Sequence, residues 1–180
     1  GEELSQQLVS DHISQVIEQT AGWLYESVLE AAGGEICMTK VEDKKSDGRK
    51  GLDFIQEYHG ERRLIDLAAG GSTKNGAARA KSINDMRDNA QFWDSQHNDN
   101  PLGKQPLETV QVWAMARGTP KNQINPRGIL EVRGEAMWTY FGLGSNFTNQ
   151  LNAELGRQRR VGKRKRAAGR DDAVRADDDG

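Results

Sequence analysis

Cysteine is almost absent from this chain: Cys37 is the only one in 180 residues. That excludes an intrachain disulfide framework and makes a reducing compartment the default expectation. Histidine is nearly as scarce. His12, His59 and His97 show no ligand spacing, so neither a zinc centre nor a Cys/His nucleophile is expected. No apolar run approaches the roughly 20 residues of a membrane helix, and no secretory leader opens the chain. The expectation is therefore no membrane partner and a cytoplasmic location. The first residue is Gly, which reads as a processed chain or an excised domain. Apolar residues make up only 35% against 29% charged, yet the length still allows one domain with a real core.

Charge is unevenly placed. The formal net charge is −2, but residues 157–180 hold nine Lys/Arg and five Asp, so residues 1–156 are more acidic than the total suggests. That tail is of low complexity, basic from Arg157 to Arg170 and then acidic, and is set apart from a folded unit spanning 1–156. The cluster Lys163-Arg164-Lys165-Arg166 suits phosphate contacts along a nucleic acid, or equally a solubilising or targeting extension.

Apolar spacing near three and four from Leu4 to Leu29 predicts one long helix or two over 3–32, stopped by Gly33-Gly34. Strands are expected over 35–41, 52–58 and 62–69, the last two joined at His59-Gly60 as a hairpin. A helix over 77–93, a polar loop over 98–106 and a strand over 110–117 follow. A short strand at 129–132 and two short helices, 135–141 and 146–155, complete the pattern. The fold class is α/β, with a mixed central sheet flanked by helices.

Two aspartates sit inside apolar runs: Gly51-Leu52-Asp53-Phe54-Ile55 and Leu64-Ile65-Asp66-Leu67-Ala68. Isolated aspartates at strand edges are common. A carboxylate among Leu64, Ile65 and Leu67 is costly to bury without a partner or a metal. A pair on neighbouring strands makes a hard oxygen site suited to Mg²⁺, with Mn²⁺ as a substitute and the Leu67 carbonyl as a third ligand. Residue 68 shares a strand face with Asp66, and a cation there would serve a phosphodiester transition state. Ala68 brings none. The turn Gly70-Gly71-Ser72-Thr73-Lys74-Asn75-Gly76 is either a permissive connection or a set of donors, Ser72, Thr73, Lys74 and Asn75, for phosphates and base edges. Glu26, on the first helix, reads as a solvated side chain or as an additional ligand.

Residues 51–76, together with Arg133-Gly134-Glu135-Ala136-Met137-Trp138 and Gly142-Leu143-Gly144-Ser145-Asn146-Phe147, resemble the PD-(D/E)XK nucleases. The likeness is closest to type II restriction endonucleases. It implies a restriction-endonuclease-like fold and Mg²⁺-dependent cleavage of double-stranded DNA, usually by a homodimer. By position, Asp53 and Asp66 match the acidic residues, Ala68 the lysine, and Glu26 a helix glutamate found in some members. A restriction enzyme, a phage nuclease and a toxin domain delivered into a target cytoplasm share this site. Ala68 departs from the pattern and implies that this chain is inactive. A lysine-to-alanine replacement, a naturally silent relative, and a cation reaching in from Lys74 all account for it. The alternative, from a different class, is a noncatalytic nucleic-acid-binding module.

Overall fold

The structure is a computed structural model and describes residues 21–68, 76–96, 107–154 and 157. Residues 21–32 form helix α1, which ends in a turn at Gly33-Gly34. Strand β1 is shorter than the expected 35–41 and covers Met38–Lys40. The reason is local. Glu35 and Ile36 donate back to the Ala32 carbonyl, and Cys37 takes a positive φ of 52°, so the chain is still turning before Met38.

Strands β2 (Phe54–Tyr58) and β3 (Glu61–Ala68) form the expected hairpin, with Phe54 opposite Ile65 and Tyr58 opposite Glu61. Its turn is His59-Gly60, with φ of 50° and 83°. Two left-handed residues match the natural twist of the paired strands. Strand β3 then pairs in parallel with β4 (Glu108–Met115), and the long helix α2 (Gly76–Ser95) lies in the crossover that a parallel pair requires.

Strand β6 (Leu130–Arg133) adds in parallel to β4, and β5 (Lys121–Ile124) covers the far edge antiparallel. The six-stranded mixed sheet runs β1-β2-β3-β4-β6-β5. Helix α3 (Glu135–Tyr140) starts at Gly134, where an added Cβ would stand 2.4 Å from the Gly118 carbonyl oxygen. A further helix, α4, covers 147–154.

Each face of the sheet has its own core. Leu29 of α1 and Met137, Trp138 and Phe141 of the α3 region pack against Phe54, Ile65, Leu67, Val112, Ala114 and Val132. On the other face, Ile83, Met86 and Ala90 of α2 meet Leu52, Leu64, Trp113 and Ile129. The spacing of 83, 86 and 90 puts one narrow apolar stripe of an otherwise polar helix against the sheet. No helix among the described residues is long and apolar enough to cross a membrane.

Candidate functional site

Alternation along β3 assigns Asp66 to a face. Ile65 and Leu67 belong to the α1-side core and Leu64 to the α2-side core, so Asp66 and Ala68 face α2. Asp53 precedes β2, and alternation does not reach it: Phe54 packs in the α1-side core, whereas Leu52 packs on the α2 side. Asp53 extends the hairpin ladder by one bond, its amide donating to the Ile65 carbonyl at 2.9 Å. Asp53, just ahead of β2, is thereby held alongside Ile65 to Leu67 of β3, the segment that carries Asp66.

Both carboxylates are held. The Leu67 amide donates to Asp53 Oδ2 at 2.8 Å, and the Lys44 ammonium donates to Oδ1. Ser82 of α2 donates its hydroxyl to Asp66 Oδ2. The Asp53 side chain is 13% exposed, whereas Asp66 as a residue is 3% exposed and Ala68 8%. Ile65 sends its carbonyl toward Asp53, and Ala68 accepts at its carbonyl from the Ala116 amide, just past β4, at 3.0 Å. Leu67 has the parity of Ile65, so its carbonyl leaves β3 on the Asp53 side.

Lys44 lies on a braced loop between β1 and β2. Its own carbonyl accepts from the Gly51 amide at 3.3 Å, and the Arg49 amide closes a turn onto Ser46. Helix α2 pins the loop from the other side. Asn89, fully buried, accepts from the Lys50 amide at 3.1 Å and donates to the Lys50 carbonyl at 2.8 Å. The Trp93 indole donates to the Gly48 carbonyl at 2.8 Å.

A second charged group lies further along the same face. In register, Asp66 faces Trp113 of β4, and Trp113 faces Glu131 of β6. Glu131 is buried and accepts from Lys121 at 2.6 Å and Asn125 at 3.1 Å. Burial opposes its charge, but those hydrogen bonds, with the charges of Lys121 and Arg79, hold its carboxyl below the usual value of 4.5. Arg79 of α2 lies 4.5 Å from the centre of the Trp113 ring and 3.7 Å from Glu131. Its side chain is half exposed.

Of the residues expected at the site, the structure brings together Asp53, Asp66, Leu67 and Ala68. It does not bring Glu26 to them. Glu26 is on α1, and its charge acts on Lys40, whose ammonium is raised mainly by a 2.9 Å hydrogen bond to Glu30. Lys40 has the parity of Met38, which packs in the α1-side core, so this group lies across the sheet. Ser72, Thr73, Lys74 and Asn75 lie outside the described residues, as do the helix expected before residue 21, the loop 98–106 and nearly all of the tail. Sequence reasoning missed Lys44, Ser82, Arg79 and Glu131. Only Ser82 had a legible signal, a small hydroxyl on the helix after the aspartate strand.

The donor chemistry fits Mg²⁺: two carboxylates and a carbonyl, all hard oxygens, with room in the coordination for retained waters. Among the described residues no group of three or more Asp, Glu, His or Cys side chains converges. Comparison with known proteins yields no match: no protein-family model, no curated protein and no solved structure is similar to the chain.

Proposed function

We propose that this fold carries Mg²⁺-dependent hydrolysis of phosphodiester bonds in double-stranded DNA, as a homodimeric endonuclease of the restriction-endonuclease-like type. The observation that carries the reading is that Asp53 is hydrogen-bonded, by its amide to the Ile65 carbonyl and by its carboxylate to the Leu67 amide, along the strand segment that carries Asp66. The two carboxylates and the Leu67 carbonyl would hold the ion, which when bound polarises the phosphate and lowers the pKa of a bound water. The protein's own part is to orient. The Leu67 amide fixes the Asp53 carboxylate and Ser82 fixes that of Asp66, so neither has to be ordered when substrate arrives. Position 68, on the same face as Asp66, is where a lysine would place its ammonium against the phosphate. Ala68 leaves that place uncharged, and the chain as it stands is a weak or silent form of the enzyme.

The test is Ala68→Lys, incubated with long genomic DNA and Mg²⁺ beside the chain as it stands. Cleavage that rises on introducing lysine, stops with EDTA and is lost in Asp66→Asn supports the reading. Absence of cleavage in every form, with Mn²⁺ binding indifferent to Asp53→Asn, would remove it. A noncatalytic DNA-binding module is the second reading, favoured by Ala68 and by the lack of a third carboxylate among the described residues. It predicts salt-sensitive DNA binding that ignores both aspartates.

A further inference from the structure

We propose that Lys44 is the mobile cation of the aspartate site. When DNA binds, its ammonium passes from Asp53 Oδ1 to a phosphate oxygen and thereby frees Oδ1 for the divalent ion. The inference rests on the metal-site reading above and goes beyond it, because it makes substrate and metal binding depend on each other through one side chain.

Asp53 has two carboxylate oxygens with different partners. Oδ2 is committed to the Leu67 amide within the sheet. Oδ1 is the oxygen left for a metal, and the Lys44 ammonium is bound to it. An ammonium and a divalent cation on one carboxylate oxygen repel each other, so one must leave for the other to bind. Among the described residues, Lys44 is the only cation ion-paired with Asp53. Nearby cations are engaged elsewhere: Lys81 with Asp85 at 2.5 Å, and Arg79 with Trp113 and Glu131.

The two ends of Lys44 behave differently. Its backbone is fixed, because the loop is closed by the Gly51–Lys44 bond and clamped to α2 through Asn89 and Trp93. Its side chain is 42% exposed, so the ammonium is open to solvent and to a polyanion. A half-exposed ion pair of this kind is weak and can be exchanged for another oxyanion. A phosphate arriving at the pair offers one within the arc of a lysine side chain anchored at this place. Four rotatable bonds and three donors suit Lys to the transfer, where a planar guanidinium would be locked in place.

Coupling is reciprocal: if DNA draws Lys44 off Asp53, DNA tightens metal binding, and metal tightens DNA binding. The experiment measures Mn²⁺ affinity by electron paramagnetic resonance, with and without a short duplex DNA. It compares the full chain with Lys44→Ala, Lys44→Arg and Asp53→Asn. Without DNA, Lys44→Ala is expected to bind Mn²⁺ about fivefold tighter than the parent, since a competing charge is gone. With DNA that difference disappears, and the salt dependence of DNA binding loses about one unit of slope. Lys44→Arg keeps the competition without DNA and loses part of the DNA-induced gain. Unchanged or weaker Mn²⁺ binding by Lys44→Ala, or an unchanged salt slope, overturns the transfer while Asp53-dependent Mn²⁺ binding keeps the metal site. Mn²⁺ binding that Asp53→Asn leaves untouched overturns both.

Discussion

Asn89 exchanges two hydrogen bonds with the backbone of Lys50, at 3.1 and 2.8 Å, across 39 positions of sequence. The side-chain amide thus stands in for a strand partner and satisfies both backbone groups of a loop residue at once. It is fully buried, so neither bond has water as a substitute.

Replacing Asn89 by Ala leaves the Lys50 amide and carbonyl without these partners and opens a small void. The expected loss is about 2 kcal/mol of stability, measured by urea unfolding. Because the clamped loop carries Lys44, the same variant is expected to broaden the Lys44 ammonium resonance in NMR. A purely global destabilisation would leave that signal as sharp as its neighbours.

On the opposite face Gln56, also fully buried, donates to the Ile36 carbonyl at 2.8 Å and to the Phe141 carbonyl at 3.0 Å, and accepts from Arg63 at 3.0 Å. It ties the turn after α1 and the end of α3 to β2. Gln56→Leu fits the space but leaves two buried carbonyls unpaired, with an expected cost of about 3 kcal/mol. Thermal unfolding checks this, and the Asp53-dependent binding of Mn²⁺ is expected to survive, since the bonds lie across the sheet from the site.

Stability is expected to fall at both ends of the pH scale for separate reasons. Burial pushes the Tyr140 phenol from 10.0 up to about 12, with Arg63, 3.8 Å from the ring centre, working against the shift. The folded state then holds a proton that the unfolded chain gives up near 10.0. The contribution is complete below that value and is lost as pH rises toward about 12. Tyr140→Phe is expected to flatten this alkaline limb in unfolding curves. Glu131 has the opposite sign: its carboxyl is held below 4.5, so its contribution is present above that pH and is lost as pH falls through the folded value. Glu131→Gln is expected to remove that part of the acid limb.

The hairpin that carries Asp66 was legible because its alternation and its two-residue turn are local signals, and β4 showed the same period; its first strand begins at Phe54 rather than 52, which leaves Asp53 just ahead of it. Lys121-Asn122-Gln123-Ile124 gave no such sign. Three of the four are polar, all but the half-buried Lys121 are exposed, and they form a strand only because β6 offers an edge. Lys44 was hidden for another reason. It sits in a charged loop where nothing marks one lysine from the next, and only the fold folds that loop back over Asp53. Glu26 shows the same gap from the other side: helical spacing gives an apolar stripe but not which face of the sheet it will cover. The aspartate pair was read from burial cost, a chemical signal, whereas its neighbours depend on tertiary placement.

A single two-residue turn brings Asp53 alongside Ile65 and Leu67, while β4 and β6 come from far later in the chain. Contacts close in sequence form early during folding, and parallel strand pairs form late. Asp53 is therefore laid against β3 before the sheet is complete, while the α2 cover of Asp66 is still being made. On the metal-site reading proposed above, a divalent ion would meet these carboxylates before the sheet closes, and its presence during refolding would then change the folding rate as well as the final stability.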